Sequence, residues 1–501
     1  MSSKLSWYFL FAFSILVLKY HLNLLRSQEA FPEKYFLGFI VSFIVSSVVS
    51  NIWGWFDFPY FQDILLAPAG QIKKLPIVLH YLAVVGLNPD YGHIISIWTF
   101  IRSIKSAILY AIYTFGFAYV VYCYIKRDFS KYYVLMEKAV MASVAILSIY
   151  SIVEVFYLAG NNTATYILTQ VNPLLHTFQY DHDWWPPLLW RNQLRSVFAE
   201  PSRVGNYIAF AIPILWGKLF TSGKLSIHKD CFVVLEILLL TFFTFLTKAR
   251  TAVALYGGLI FLLIVWVALI RKRALLKNAF IVFCITAVAF AGSLQFISAY
   301  MLKPGVQSRQ IITAKSYLDD NVGSLANSTR RSNGARYALI RANFQTGKEH
   351  PLFGVGGILT SSYTVHNFNE QDLANHEVAM WVHDYYEQGP LSYGLGAMNE
   401  YVSRFAQYGS VGLILFLIAP VLIFKKLILK IKKASGILET RLVIVLITLI
   451  ATLVAGCNGS LTLLYTYWIV LGYAYAAIYG KTEDKSSDYK SYKTEGNNEP
   501  T

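Results

Sequence analysis

The main pattern along the chain is a series of long apolar runs separated by short polar segments. Each run extends over roughly 17 to 23 residues, which is the length of an α-helix that crosses the hydrocarbon core of a membrane. The pattern therefore predicts an all-α polytopic membrane protein. Twelve spans are expected, at 5–25, 35–55, 75–92, 104–125, 139–159, 204–220, 231–247, 251–270, 278–300, 409–424, 442–457 and 461–479.

Two of these runs have features that a typical membrane helix lacks. The run 5–18 resembles a secretory signal peptide, but no small-residue cleavage site follows it, so we interpret it as an uncleaved first helix. The third run is interrupted by Pro76, His80 and Pro89, and a re-entrant segment is the alternative there.

One large polar segment, 301–407, lies between the ninth and tenth runs. Its first half, 301–348, is mainly basic and its second half, 349–404, mainly acidic, so the loop can fold on itself or present a cationic wall opposite an acidic one. A single large loop of this kind is where a membrane protein usually carries out chemistry or recognition. The predicted organisation is spans one to nine in 1–300 with an outer segment at 160–203, the loop at 301–407, spans ten to twelve in 408–480, and a disordered tail at 481–501.

Composition and charge support the membrane assignment and indicate the orientation. Only 14% of the 501 residues are charged, whereas a soluble domain carries about 25%. The net charge of +15 is concentrated in short segments, which the positive-inside rule places in the cytoplasm together with both termini. Topology and anionic lipid headgroups account for this charge, and nucleic-acid binding is not expected. The basic segments are 126–138, 218–229, 271–273, 425–433 and the tail after 481.

Metal and nucleotide chemistry have little support. The pair His376-Glu377 lacks the second histidine of a zinc-protease helix, because Met380 occupies that position. The segment 181–183 could bind a cation, although Asp-rich turns are commoner. No phosphate-binding loop or kinase signature occurs. The four cysteines have no spacing typical of disulfides or metal sites, and they are Cys123, Cys231, Cys284 and Cys457.

Arginines on the predicted outer face are the strongest candidates for chemistry. Arg250 follows Lys248 in a very short turn between two apolar runs. An arginine inside a membrane helix costs roughly 2.5 to 3.5 kcal/mol, and the cost falls at a helix end. An interfacial anchor is one interpretation of Arg250, and a cation that binds a phosphate near the outer leaflet is the other.

A second group of polar residues precedes the sixth span. Arg195, Glu200 and Arg203 lie close together, and Pro201 can begin the helix so that Glu200 lies at its positive end. Glu200 is then either a helix-start charge or a functional carboxylate. The two arginines favour function, since positive charge is not needed on the outer face for topology.

Further candidates lie in the two outer segments. A helix is predicted from Ser332 to Gly347, with Arg336 and Arg341 on its flanks. His350 begins a Gly-rich piece that we interpret as a tight turn over the membrane surface. Trp184 and Trp185 could stack on sugar rings or belong to an interfacial aromatic belt. The remaining candidates are Asn399, Glu400 and Tyr401, which precede the tenth span, and the tryptophans Trp184 and Trp185.

The order of these motifs resembles the O-antigen polymerase and ligase family over roughly residues 190 to 420. The resemblance implies a GT-C-like integral membrane glycosyltransferase that takes glycans from a polyprenyl diphosphate carrier, without a metal or another cofactor. It further implies that arginines hold the diphosphate and that a base deprotonates the acceptor hydroxyl. The implied catalytic residues are Arg250, Arg336, Arg195, Glu400 and Glu200; the implied substrate-binding residues are Arg203, Arg341, Asn399, Tyr401, His350, Trp184 and Trp185.

One departure from the family pattern affects the choice of reaction. Members of this family often have a histidine where this chain has Met398, and that histidine is the usual candidate base in ligases. Glu400, Glu200, His383 or His366 could replace it, or the reaction could proceed without a base. We therefore expect a polymerase of lipid-linked repeat units in the inner membrane. The alternatives are an O-antigen-type ligase and, with less support, a lipid-linked glycan flippase. Expected partners are the polyprenyl-diphosphate-linked oligosaccharide, membrane lipids, a chain-length regulator and a flippase.

Overall fold

The structure is a computed structural model, and its regular elements are all helical within the residues that it describes. The described residues are 31–56, 58–66, 75–88, 90–175, 190, 192–221, 227–270, 273–301, 311–323, 331–391 and 393–481. The predictions for the span 5–25, for 181–183, for Trp184 and Trp185, and for the tail beyond 481 lie outside these residues.

Nineteen α-helices are described. Those before the large loop are α1 (Phe31–Phe56), α2 (Phe61–Leu66), α3 (Leu75–Val84), α4 (Tyr91–Ala111), α5 (Phe117–Ile125), α6 (Phe129–Leu158), α7 (Asn162–Leu175), α8 (Pro201–Thr221), α9 (Ile227–Leu246), α10 (Arg250–Ile270) and α11 (Arg273–Tyr300). The loop and the C-terminal part contain α12 (Ala314–Asn321), α13 (Arg331–Glu349), α14 (Thr360–His366), α15 (Glu370–Leu373), α16 (His376–Gln388), α17 (Glu400–Ile431), α18 (Gly436–Ala455) and α19 (Tyr465–Tyr479).

Eight helical stretches in the described part of the chain are long and apolar enough to cross a membrane. They are α1, the stretch Gly92–Ile125 through α4 and α5, α6, α8, α10, α11, α17 and α18. The apolar helices α9 and α19 pack among them, α9 against α8 and α11, and α19 against α5 and α18. The predicted all-α, multi-pass architecture is confirmed. The exact count of twelve spans and the GT-C likeness are not confirmed.

The third predicted span, 75–92, is wrong. Helix α3 has ten residues, which corresponds to about 15 Å and is half of the roughly 30 Å of a bilayer core. Gly86 follows it with a φ of +79°, a backbone conformation that favours glycine and ends a helix. The Asp90 carboxylate then accepts a hydrogen bond from the Gly92 backbone N–H at 2.9 Å and caps the next helix, α4.

Because this run does not span, α1 has the opposite direction to the one that twelve alternating spans require. At the start of α1, Glu33 forms an ion pair with Lys126 and accepts a hydrogen bond from the Tyr122 hydroxyl at 2.8 Å. At its other end, Asn51 accepts a hydrogen bond from the backbone N–H of Gly357 in the large loop. We call the two ends of the bundle the basic end, which holds Lys126, and the loop end.

The large loop folds on itself at the loop end, as its charge pattern allows. Helix α13 covers the predicted 332–347 helix, and its apolar face packs in a small core with Val378 and Tyr385 of α16. Arg341, from the basic half of the loop, forms an ion pair with Asp372, from the acidic half. On its other side the loop contacts the α1–α4 connection, where His366 lies 2.8 Å from Asp63.

Two membrane helices, α8 and α10, come into close contact at the loop end. A Cβ atom added at Gly205 of α8 would lie 2.7 Å from the Ala252 Cα of α10, so no larger residue fits without moving a helix. Small residues at a helix interface permit this approach. The contact fixes how the first turns of α8 and α10 lie next to each other.

We expect Gly205→Ala to destabilise the protein by about 1–3 kcal/mol, because the added methyl group overpacks the α8–α10 contact. The measurement is the thermal unfolding midpoint of the purified protein. Gly257→Ala in α10 is the matched control, since no atom lies within 4 Å of its Cβ position and alanine favours the helix. Equal midpoints for the two variants would contradict the close approach.

Candidate functional site

The α8–α10 contact brings two of the predicted arginines to the same level of the bundle. Arg203 precedes Gly205 by two residues, and Arg250 precedes Ala252 by two residues. Both arginines therefore lie in the first turns of adjacent helices at the loop end, and both are half-buried. The helix N-termini add partial positive charge to this region.

A third arginine joins them through α13. The Arg250 Nη1 donates to the Asn333 Oδ1 at 2.5 Å, in the first turn of α13. Arg336, three residues further along the same helix, donates from Nη1 to the Asn458 Oδ1 at 2.5 Å. The Arg203 Nη1 lies 4.0 Å from the Cβ position of Gly459, next to Asn458. We call Arg203, Arg250 and Arg336 the arginine cluster.

Arg250 and Arg336 each donate a hydrogen bond to an asparagine side chain. In both, the acceptor is a neutral amide oxygen, which orients the guanidinium without neutralising it. Three half-buried guanidinium groups around one short turn form a site suited to a multiply charged anion such as a diphosphate.

Glu200 lies at the edge of this cluster, before the first residue of α8. It is half-buried, and its Oε2 accepts a hydrogen bond from the Ser202 hydroxyl at 3.1 Å. A carboxylate at a helix N-terminus is favoured by the helix dipole, as the sequence indicated. Glu200 is the more accessible of the two predicted catalytic acids, because Glu400 is fully buried.

Arg195 is enclosed by protein groups, unlike the cluster. It is 0% exposed, and its guanidinium donates to the Asn172 Oδ1 at 2.8 Å, the Tyr150 hydroxyl at 3.1 Å and the Phe198 carbonyl at 2.7 Å. Its backbone N–H donates to Glu154 of α6. These contacts attach the segment before α8 to α6 and α7. The predicted catalytic role of Arg195 stays a prediction, and its contacts favour a positioning role.

Glu400 is also enclosed. It is 0% exposed, its Oε1 accepts hydrogen bonds from Arg404 Nε at 2.8 Å and the Tyr110 hydroxyl at 3.1 Å, and its Oε2 accepts one from the Leu461 N–H at 3.0 Å. The last contact holds the turn that carries Asn458, the partner of Arg336. Glu400 therefore reaches the arginine cluster through this turn.

The residues around Glu400 fix the start of α17. The Asn399 Oδ1 accepts hydrogen bonds from the N–H groups of Tyr401 and Val402, which makes Asn399 the N-cap of the helix. The Tyr401 hydroxyl donates to the Leu453 carbonyl of α18 at 2.5 Å. Both residues have structural contacts close to the cluster.

Comparison with known families assigns part of the chain. Residues 235–417 match the family model described as O-antigen ligase. The chain carries an O-antigen ligase family domain. This match confirms the resemblance noted in the sequence and supports membership of the O-antigen polymerase and ligase family. No curated protein and no solved structure matches the chain.

The O-antigen ligase family domain contains Arg250, Arg336 and the start of α17, whereas Arg195, Glu200 and Arg203 precede it. The arginine cluster is therefore formed by residues from inside and outside the matched segment. Two other predicted residues of the domain lie apart from the cluster. Arg341 is exposed and paired with Asp372, and His350 packs edge-on against Tyr363 at the far end of α13.

The turn that follows His350 has the predicted form. The Gly354 N–H donates to the His350 carbonyl at 3.0 Å, and Gly354 and Gly356 have positive φ angles. A Cβ atom at Gly354 would lie 2.5 Å from the Gln407 backbone, so glycine lets the turn pack directly on α17. His350 thus begins a segment that joins α13 to the family domain's last helix.

A polar cluster lies on the side of the loop facing α2. His366 stacks on Tyr60 with 3.8 Å between ring centroids, and Asp63 lies 2.8 Å from His366 and 3.2 Å from the Tyr385 hydroxyl. Burial raises the pKa of Tyr385 above its usual value, and the neutral hydroxyl donates its hydrogen bond to Asp63. This cluster fixes the domain's loop to the preceding helices.

Sequence reasoning missed two arginines, Arg102 and Arg404. Arg404 is buried, pairs with Glu400 and lies 4.3 Å from the Tyr110 ring centre. Arg102 lines a cavity under the loop. The signal available for Arg102 was a charged residue next to an apolar run, but the predicted span began at 104 and so excluded it. No group of three or more potential metal ligands occurs in the described part of the chain.

Proposed function

We propose that this protein is a membrane glycosyltransferase that polymerises polyprenyl-diphosphate-linked oligosaccharide repeat units into a surface polysaccharide, such as O-antigen, capsule or exopolysaccharide. The family match supports membrane glycan processing of the O-antigen ligase and polymerase type. The observation that carries the proposal is the convergence of Arg203, Arg250 and Arg336 at the loop end.

The arginine cluster fits the chemistry of a lipid diphosphate donor. When the bond between the sugar's anomeric carbon and the diphosphate oxygen breaks, negative charge builds on the departing diphosphate. Guanidinium groups fixed around it would stabilise that charge, because they form charge-assisted, bidentate hydrogen bonds with phosphate oxygens. This mechanism requires neither a metal nor a nucleotide.

The acceptor hydroxyl must lose a proton as it attacks the anomeric carbon. Glu200 is the better placed of the two predicted acids for this role, because it is half-buried and borders the cluster. Glu400 is fully buried with both oxygens occupied, so we propose that it acts with Arg195 in positioning the cluster.

We propose that the loop end faces outwards from the inner membrane and that the basic end faces the cytoplasm. Lys126, Lys218 and Lys430 lie at turns or helix ends of the basic end, where the positive-inside rule places cytoplasmic residues. This orientation exposes the arginine cluster to a donor whose glycan is on the outer face. A flippase would then supply the donor, and a chain-length regulator would act on the product.

A ligase that transfers finished glycan to an acceptor is the second candidate, because the matching family model is described by that activity. Met398, at the position where ligases often have a histidine, is half-buried and packs against the small core of the loop. A methionine side chain can neither accept nor donate a proton, so it cannot act as the base that a histidine provides at this position. Its presence therefore supports the polymerase. A transporter has less support, because the arginines gather at one end of the bundle.

Deletion of the coding gene followed by gel analysis of surface and lipid-linked glycans separates these functions. A polymerase mutant should attach single repeat units to the surface acceptor, because ligation continues without chain growth. A ligase mutant should accumulate polymer that is not attached. An unchanged ladder of attached polymer in the deletion strain would contradict both enzymatic proposals.

A further inference from the structure

A cavity of about 240 Å³ lies beneath the large loop. Its walls come from α4, α13, α14 and α17, and residues 390–391 and 393–397 also line it. The polar residues used below are Arg102, Asn343, Thr360, Tyr393, Ser403 and Gln407. None of them was among the residues predicted to bind substrate.

Arg102 is the sole charged residue among the described residues that line this cavity. Its Nη1 is buried and has no hydrogen-bond partner within the described part of the chain. The buried carboxylate of α17, Glu400, is paired with Arg404. A cation in a membrane helix without a counter-ion is unfavourable, so such a residue marks a functional site.

The remaining cavity wall suits a carbohydrate. Thr360, Tyr393, Ser403 and Gln407 contribute hydroxyl and amide groups to the wall, Gly394 and Gly396 lie beside Tyr393, and all of these residues are neutral. Sugars present several hydroxyl groups that need both donors and acceptors, which hydroxyl and amide side chains supply. A neutral polar wall with one guanidinium favours a sugar that carries one negative group.

The cavity and the arginine cluster share one helix. Asn343 follows Arg336 by seven residues in α13, so both lie on the same face of the helix, about 10.5 Å apart along its axis. A glycan whose diphosphate is held by the cluster could therefore extend along α13 and place a later sugar residue next to Arg102.

We propose that the Arg102 cavity is a glycan subsite for a sugar residue that bears an anionic substituent, either a carboxylate or a phosphate. This inference rests on the proposed function, because it takes the ligand to be part of the lipid-linked glycan. It adds a substrate class: repeat units that contain an acidic sugar. The guanidinium of Arg102 would form charge-assisted hydrogen bonds with that substituent.

The test measures binding of defined sugars to the purified full-length protein in lipid nanodiscs. The probes are a glucuronate-containing disaccharide, the same disaccharide with its carboxyl group reduced to an alcohol, and glucose 6-phosphate, compared with glucose. We expect the wild type to bind at least one acidic probe on the order of tenfold more tightly than its neutral counterpart. The probe that shows the preference identifies carboxylate or phosphate.

Arg102→Gln should remove this preference, and Arg102→Lys should keep part of it because the charge remains without the bidentate geometry. Lys105→Gln is the matched control: it removes an exposed cation one turn away on α4 and should leave the preference unchanged. Equal binding of acidic and neutral probes by the wild type would overturn the proposal. An undiminished preference in folded Arg102→Gln would overturn it as well.

These results are independent of the test of the proposed function. Loss of the acid preference in Arg102→Gln supports the subsite even if the deletion strain keeps its polymer. Conversely, the deletion strain can lose chain growth while Arg102→Gln binds acidic sugars normally, in which case only the subsite is wrong.

Discussion

Arg336→Ala and Arg250→Ala are expected to abolish polysaccharide formation while the amount of folded protein remains close to that of the wild type. Each variant removes a guanidinium from the arginine cluster, together with its hydrogen bond to the neutral amide of Asn458 or Asn333. Loss of one fixed donor to a developing anion typically costs about 10²–10³-fold in rate. The measurement is polymer formed per amount of membrane-inserted protein, by glycan gel and immunoblot.

Controls on the same helix make this prediction specific. Lys348→Ala removes an exposed cation near the end of α13 and should retain wild-type polymer. Arg336→Lys should be intermediate, since an ammonium keeps the charge but cannot bind a phosphate bidentately. Cysteines at 250 and 336 should react with a membrane-impermeant reagent added outside the cell. Full activity in both alanine variants would remove the catalytic assignment of the cluster.

The sequence predicted most of the membrane helices because spanning length is a local property. Runs such as 251–270 and 278–300 coincide closely with α10 and α11, and the 332–347 helix in the loop lies within α13. The run 75–92 begins with a strongly apolar segment but does not form one helix. Positive φ at Gly86 and capping by Asp90 divide it, and these are features of individual residues that an average over the run does not detect.

The direction of α1 could not be obtained from the same pattern. Consecutive spans cross the membrane in opposite directions, so one wrongly counted span changes the direction predicted for the spans on one side of it. Counting 75–92 as a span therefore reversed the predicted direction of α1. The contacts that fix its direction, Glu33 with Lys126 and Asn51 with Gly357, join residues far apart in the chain. Their pairing depends on tertiary packing, which no local pattern contains.

The candidate site was partly predictable for a related reason. Arg195 and Arg250 look equivalent in the sequence, since both lie on the outer face near an apolar run. The structure separates them: Arg195 is enclosed by Tyr150, Asn172 and Phe198, whereas Arg250 is half-buried beside α13. The sequence therefore predicted that both arginines lie at the loop end. Their burial, which depends on the tertiary structure, decides which of them a substrate can reach.

Glu400→Ala is expected to reduce the amount of folded protein strongly, rather than to give a folded and inactive enzyme. The substitution leaves the Arg404 guanidinium, which is 5% exposed, without its counter-ion, and removes the acceptor of the Leu461 N–H. Breaking a buried ion pair in this way costs about 3–5 kcal/mol. A typical domain has a free energy of unfolding of only about 5–15 kcal/mol, so the loss is large.

The measurement is the thermal unfolding midpoint and the yield of purified protein, compared with Glu370→Ala, an exposed carboxylate whose loss should change stability by less than about 0.5 kcal/mol. Replacing both partners, as in Glu400→Leu with Arg404→Met, should recover much of the yield, because no uncompensated charge remains. If Glu400→Ala instead keeps the wild-type midpoint and loses only activity, Glu400 acts on the substrate itself. In that case the turn from Asn458 to Leu461 would keep its conformation without the Glu400 carboxylate, and contacts other than Glu400 would orient Arg336.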